Sequence, residues 1–220
     1  MTPLGSRAGT YLGAAAGGAL AWGWFEAGWV RLRTLDVGLP GLPEELVGLR
    51  IAHLSDFHLG LPSRGIRAVE AAVDWVAERR PDLVAITGDL VSRPGAAPRL
   101  RELLGRLGVS FSVLGNHDVE QTRDPFSRAA GLGDLSPSRL LVDEAVTVEV
   151  RDRRIQIVGV DPRSYKRKRS EPWQLADPEA DLRILLCHFP TVLRRTPDRA
   201  FQQIADLVLQ NAVGSRIAYL

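Results

Sequence analysis

Leu83-Val84-Ala85-Ile86-Thr87-Gly88-Asp89 runs through four apolar residues and ends in a glycine and a carboxylate. A short run that is apolar at every position reads as a strand covered on both faces, as in a buried parallel sheet. Gly88 permits a tight turn, which leaves Asp89 in a loop at the strand's carboxyl end. Working outward, the same arrangement recurs on each side. Upstream, Arg50-Ile51-Ala52-His53-Leu54 is a β-rich run that ends at Ser55-Asp56-Phe57-His58. Residues 64–80 then carry Ile66, Val69, Val73 and Val76 at helical spacing, until Pro81 stops them. Downstream, residues 97–107 repeat the helical pattern with Leu100, Leu103, Leu104 and Leu107. Phe111-Ser112-Val113-Leu114 is a third strand, ending at Gly115-Asn116-His117-Asp118. Strand and helix in alternation predict an α/β fold around a parallel sheet. In such sheets functional groups gather beyond the carboxyl ends of the strands.

The second half changes character. Residues 124–132 suggest a short helix. Residues 140–142, 145–150 and 155–160 read as successive strands, with Arg151-Asp152-Arg153 as a hairpin turn. A second, partly antiparallel sheet packed on the first is the expectation. Residues 183–187 form a further strand ending at His188, and residues 205–209 a last one. Cys187, the single cysteine, lies in that apolar run and reads as a small core residue.

The strand-end residues share one chemistry. Hard divalent cations favour carboxylate oxygens, and first-row metals also accept imidazole. On an extended segment side chains alternate, so Asp56 and His58 would fall on one side and could bind one ion together. Asp89 has two oxygens and could bridge two ions. Asn116 offers a neutral carbonyl oxygen, and His188 could reach a second ion. His53, on a buried strand, reads as a core histidine or one that supports a neighbouring ligand.

These motifs, with the flanking words Leu-Ser-Asp-Phe-His-Leu-Gly, Ile-Thr-Gly-Asp-Leu-Val and Val-Leu-Gly-Asn-His-Asp, resemble the calcineurin-like metallophosphoesterases, in particular their bacterial membrane-associated branch. The resemblance covers about residues 20–209. It implies a four-layer αββα sandwich with a dinuclear site between the loops of two sheets. By that resemblance Asp56 and His58 bind the first of two divalent ions, Asp89 bridges, and Asn116 and His188 bind the second. The ions could be Mn²⁺, Fe²⁺, Zn²⁺ or Mg²⁺. His117 would contact the phosphate and protonate the leaving group, with Asp118 orienting its ring. The implied reaction is hydrolysis of a phosphomonoester, phosphodiester or pyrophosphate by a hydroxide activated between the ions. A lipid-linked substrate such as UDP-2,3-diacylglucosamine, from lipid A biosynthesis, is carried by resemblance to that branch alone.

One departure stands out. The family pattern ends with Gly-His-x-His, whereas this sequence reads Asn211-Ala212-Val213-Gly214-Ser215-Arg216 and has no histidine after His188. The expectation is a chain truncated before that motif, with the C-terminal strands of the second sheet missing. A competing function, from another class, is a catalytically inactive remnant or a metal- or phosphate-binding module.

At 220 residues the chain holds one substantial domain and a short appendage. The expected organisation is an N-terminal helix over 1–30, a Pro/Gly-rich connector over 31–48 and the metallophosphoesterase domain over 49–220. Residues 8–25 carry no charge, and Trp22, Trp24 and Trp29 cluster at their end. Eighteen residues are near the lower limit for crossing a ~30 Å hydrocarbon core, and amphipathic aromatics favour the membrane interface. A membrane anchor with the catalytic domain outside the cytoplasm is the leading expectation. A cleaved signal at Ala19-Leu20-Ala21 and a cytoplasmic protein stand beside it. In the connector, Val37 and Leu39 suggest a short edge strand. A net charge of +2 argues against a nucleic-acid partner. Arg163, Lys166, Arg167, Lys168 and Arg169 form a basic loop, read either as solvated or as a clamp for an anionic group.

Overall fold

The computed structural model describes residues 4–26, 28, 30, 32–61, 64–119, 128, 130–192, 207–210 and 217–219. Two sheets face each other. The first has the order β4-β3-β2-β1-β9, from β4 (Arg139–Leu140), β3 (Ser110–Val113), β2 (Leu83–Thr87), β1 (Ile51–Leu54) and β9 (Ile217–Tyr219). Its first four strands are parallel and β9 runs antiparallel to β1. The second has the order β5-β6-β7-β8, from β5 (Glu144–Val150), β6 (Arg153–Gly159), β7 (Leu182–Cys187) and β8 (Leu207–Gln210). β5 and β6 form an antiparallel hairpin, and the remaining pairs are parallel. Arg151 and Asp152 both take positive φ, 54° and 61°, as the tight two-residue turn requires.

Side-chain alternation explains the layering. In β1 and β2, Ile51, Leu83 and Ala85 face the second sheet, while Ala52, Leu54, Val84 and Ile86 face the helices. Helix α2 (Gly65–Arg79) buries Val69, Val73 and Val76 there, and α3 (Ala97–Leu104) buries Leu100, Leu103 and Leu104. α2 ends because Arg80 adopts a left-handed conformation (φ 46°) and Pro81 follows. Between the sheets lie Ile51, Leu83, Phe111, Val113, Ile155, Ile157, Ile184 and Leu186, all buried. Each such side chain stabilises the fold by ~1.5–3 kcal/mol relative to exposure. The outer face of the second sheet is covered, among the described residues, by α4 (Pro162–Lys166) and the 3₁₀ turn Pro172–Leu175. The sandwich is therefore of the expected αββα type with one thin outer layer. Cys187 sits in it, fully buried, and burial pushes its thiol up to about 12.

Several expectations need correction. Val37 and Leu39 form no strand; Leu39 and Leu42 instead pack on the inter-sheet core, and Arg151 bonds the carbonyls of Val47 and Gly48 to hold the connector. One strand that the sequence did not announce, β9, joins the first sheet. Most of the helix expected over 124–132 lies outside the described residues, as do residues 211–216 and Trp29.

The N-terminal helix forms where expected, as α1 (Leu4–Glu26). Its 23 residues suffice in length. Yet no helix among the described residues is both long and apolar enough to cross a membrane, so the expected span is not supported. The cause is composition, since the segment is built mainly of alanine and glycine. Tyr11, Leu12, Leu20, Trp22 and Trp24 are exposed along it. At its end, the Arg64 guanidinium lies 5.6 Å from the Trp24 ring centre and 5.2 Å from that of Phe25, fixing it to the start of α2.

Candidate metal centre

Three loops at the carboxyl ends of β1, β2 and β3 meet, and they meet backbone to backbone. Gly88 has φ +85°, and a Cβ there would lie 2.4 Å from the Gly115 nitrogen. A Cβ on Gly115 would lie 2.2 Å from the Asp89 nitrogen. Only glycines allow this approach. The carboxylate of Asp118 then ties the loops together. Its Oδ1 accepts from the Leu90 and Val91 amides at 2.9 and 3.0 Å, and its Oδ2 accepts from the Gly115 amide at 2.8 Å. Burial raises the Asp118 carboxyl to about 6 despite these three bonds. Asp118 thus clamps the loops together through three backbone amides.

Asp56, His58 and Asp89 all have positive φ, at 59°, 45° and 55°. The expectation that Asp56 and His58 share a side by strand alternation is therefore corrected: both lie in a left-handed loop beyond β1. The loop is held by Asp56 N–H to Gly88 O and His58 N–H to Asp89 O, at 3.0 and 2.9 Å. Non-glycine residues in this conformation carry strain that the surroundings must impose, and such residues cluster at functional sites.

The result is a convergence on one atom. Asp89 Oδ2 stands 3.5 Å from His188 Nε2, 3.6 Å from His58 Nε2 and 3.8 Å from His117 Nε2. Asp89 Oδ1 is engaged elsewhere, accepting the His117 amide at 2.9 Å. Asp56 Oδ1 lies 3.8 Å from His58 Nε2, and Asn116 Oδ1 lies 3.0 Å from His188 Nε2. All the expected site residues are brought together. His58, Asp89 and His117 offer ligand atoms within 4.8 Å of one another, so distance alone does not set His117 apart from the ligands.

Supporting groups fix how these side chains point. His188 follows Leu182, Ile184 and Leu186 in the inward register of β7, which aims it across the sheet interface. Its Nδ1 donates to the Thr87 carbonyl at 2.8 Å, leaving the Nε2 lone pair toward Asn116. Thr87 Oγ1 meets His53 Nε2 at 2.7 Å, so His53 supports the site from one layer below. Burial pushes the His53 imidazole down to about 4. His58 Nδ1 lies 3.2 Å from Ser92 Oγ, and Ser55 Oγ donates to Asp56 Oδ2 at 2.5 Å. Burial works against the charge on Asp56, but the bonds from His58 and Ser55 outweigh it and hold its carboxyl below the usual range. The same burial disfavours the His58 imidazolium, yet the Asp56 bond and the Asp89 charge raise its pKa. Sequence reasoning missed Ser55, Thr87 and Ser92. Thr87 was readable, since it shares the inward register with Leu83 and Ala85; Ser92, in an irregular loop, carried no signal.

This donor set fits divalent metal. Nε2 of His188 and Oδ1 of Asn116 are both lone-pair atoms, and two ligands ~2.1 Å from one ion at right angles lie ~3.0 Å apart. Asp89 Oδ2 is thus the atom that imidazoles from separate loops approach.

Comparison with known proteins agrees. A zebrafish (Danio rerio) transmembrane protein with a metallophosphoesterase domain is 45% identical over 93 residues, 39% of this chain and 21% of that protein. The uncharacterized metallophosphoesterase YkoQ of Bacillus subtilis is 28% identical over 149 residues, 63% of this chain and 52% of its own. The UDP-2,3-diacylglucosamine pyrophosphatase LpxG of Chlamydia muridarum is 32% identical over 109 residues, 45% of this chain and 32% of its own. The chain thus spans about half or less of the length of these relatives. The calcineurin-like phosphoesterase profile matches residues 49–211, and the chain belongs to that family.

Proposed function

We propose that residues 49–220 form a metal-dependent phosphoesterase domain whose centre is Asp89 Oδ2. The observation that carries this reading is the approach of three imidazole Nε2 atoms to that oxygen within 3.8 Å, from loops of both sheets. Asp56, His58 and Asp89 would hold one divalent ion, and Asp89, Asn116 and His188 the other. Two such ions supply Lewis acidity to a phosphoryl oxygen and lower the pKa of water. His117, with a partly exposed side chain beside the cluster, gives the proton from Nε2 to the leaving oxygen. Asp118 and the paired glycines keep the Asp89 and Asn116 loops at fixed separation. The substrate is a phosphate ester or anhydride. The name of the chlamydial relative supports a lipid-linked one, and exposed Trp22 and Trp24 on α1 support action at a membrane surface.

Metal analysis of purified protein, paired with hydrolysis of an aryl phosphodiester in the presence of Mn²⁺, tests the proposal. Two ions per chain with turnover are expected; absence of turnover with every divalent metal favours the inactive remnant. Asp89→Asn strips metal more completely than Asn116→Ala, and equal metal contents would contradict the sharing of Asp89.

A further inference from the structure

The basic stretch Arg163-Ser164-Tyr165-Lys166-Arg167-Lys168-Arg169 has no part in the chemistry above. Its first cation is accounted for. Arg163 Nε and Nη2 bond both oxygens of the buried Asp161 at 2.7–3.2 Å, and the Asp161 side chain also caps α4 through the Arg163 amide. The other four cations are consecutive and exposed. Among the described residues no carboxylate pairs with Arg167, Lys168 or Arg169. The backbone gathers them into a tight turn: Lys168 has φ +56°, its amide donates to Tyr165 O at 3.0 Å, and the Arg169 amide donates to Ser164 O at 2.9 Å. Ser170 Oγ closes the turn on Asp143 Oδ1 at 2.9 Å.

This turn packs, through Tyr165, on the residues that follow His188. β6 and β7 are parallel neighbours, so α4 leaves the sheet at the end where His188 stands. Tyr165 is buried, stacks on Phe189 with ring centres 5.2 Å apart, and its hydroxyl meets Thr191 Oγ1 at 2.6 Å. Phe189 in turn meets the His188 ring edge-on at 5.3 Å, and Lys166 Nζ lies 5.5 Å from the Phe189 ring centre. Two ring contacts therefore separate a lysine ammonium from an expected metal ligand. Four adjacent cations repel one another, and a bound anion relieves that repulsion. Guanidinium groups favour phosphate because their donors match two oxygens at once.

We propose that Lys166, Arg167, Lys168 and Arg169 bind a second phosphate group of the substrate, beyond the phosphoryl under attack. Preferred substrates are then pyrophosphates, or diesters carrying a further phosphate, over esters with a single one. The inference rests on the phosphoesterase reading and deepens it.

The test is binding of tripolyphosphate and of orthophosphate to metal-free protein by titration calorimetry at low salt, which requires neither ions nor turnover. Tripolyphosphate affinity should fall at least ~10-fold when all four residues become Ser, since several exposed charge contacts are lost together. Orthophosphate binding should change less. Replacing Lys166 and Lys168 by Arg, which keeps the charge, should leave tripolyphosphate affinity within ~3-fold of the parent. The side chains are exposed, so the unfolding midpoint should hold; if the quadruple variant misfolds, Arg167→Ser with Arg169→Ser carries the same test. Unchanged tripolyphosphate binding in the Ser variant overturns the proposal. So does loss of binding to phosphatidylglycerol vesicles with tripolyphosphate binding intact, which would assign the turn to a membrane surface. Either failure leaves the phosphoesterase reading standing, because the metal and hydrolysis assays address that reading separately.

Discussion

The wall of the site contributed by the first sheet is three loops bonded to one another, whereas the described part of the second sheet contributes one expected ligand, His188, hung from the Thr87 carbonyl. The first wall is locked by backbone contact at Gly88 and Gly115 and by the three amides on Asp118. Asp56, His58 and Asp89 sit there in left-handed conformations that such bracing sustains. The second wall needs none of this, because β7 extends straight into His188 and regular strand alternation aims the imidazole inward. A site can be positioned by a costly loop or by a regular element that happens to end in the right place. The two should respond differently to perturbation.

The largest effect should come from the loop contact. In Gly115→Ala the new Cβ would lie 2.1 Å from Asp89 Oδ1, so the two loops must separate. We expect a loss of about 3 kcal/mol or more, together with loss of bound metal. Denaturant melts and metal analysis of the variant check this. Near-normal stability would mean that the first wall is more pliable than its backbone contact indicates.

The next effect probes the joint between the walls. His53, below the Thr87 carbonyl that holds His188, is buried with its imidazole pushed down to about 4. A depressed imidazole contributes stability above its unfolded pKa, near 6.5, and that contribution is lost as pH falls toward 4. The expected loss is about 3 kcal/mol over that window. Asp118, raised to about 6, has the opposite sign, so its effect favours the fold as pH falls. Urea melts of metal-free parent and His53→Gln between pH 7 and 4 isolate the histidine, and the variant should lose less stability on acidification. Parallel curves would remove His53 from the joint.

How legible each wall was in the sequence follows from the same contrast. Regular elements were readable: the apolar run over residues 83–86, the helical spacing of Val69, Val73 and Val76, and the inward His188 all carry periodicity. The loops were legible only as motifs. Asp56-x-His58 reads as extended, because φ near +60° leaves no periodic trace in non-glycine residues. Gly88 reads as a turn residue, but its contact with Gly115 is a tertiary fact. The clamp made by Asp118 leaves no trace in its motif, because its oxygens accept from amides 27 and 28 residues away in sequence. The membrane expectation rests on missing charge over residues 8–25 and on the tryptophans at their end, whereas the alanine and glycine that fill the segment leave no helix among the described residues apolar enough to cross a membrane.

Asp118→Asn gives a smaller effect on the first wall. The amide retains one acceptor oxygen but turns an NH₂ group toward a backbone N–H, leaving a buried donor unmatched. The expected cost is ~1–3 kcal/mol. If Asp118 instead served mainly to orient His117, stability would be unchanged and only turnover would fall.

The smallest effect on either wall should come from His117→Ala, and that makes it the most informative about chemistry. His117 Nε2 lies 3.8 Å from Asp89 Oδ2, hardly farther than His58, so geometry leaves it beside the ligands. What the wall uses is its backbone amide, which bonds Asp89 Oδ1 at 2.9 Å and survives the substitution. If His117 serves as the proton donor, removing the ring keeps metal stoichiometry and stability intact. Hydrolysis of an ester with a basic alkoxide leaving group should then fall by ~10²–10⁴-fold, because that oxygen cannot depart unprotonated. A nitrophenyl ester should suffer less, since nitrophenolate leaves without much help. The ratio of the two losses separates proton donation from simple misplacement, which would slow both esters alike. Loss of one metal ion in the variant would instead make His117 a ligand, and the first wall would then hold metal through a histidine from each of two loops.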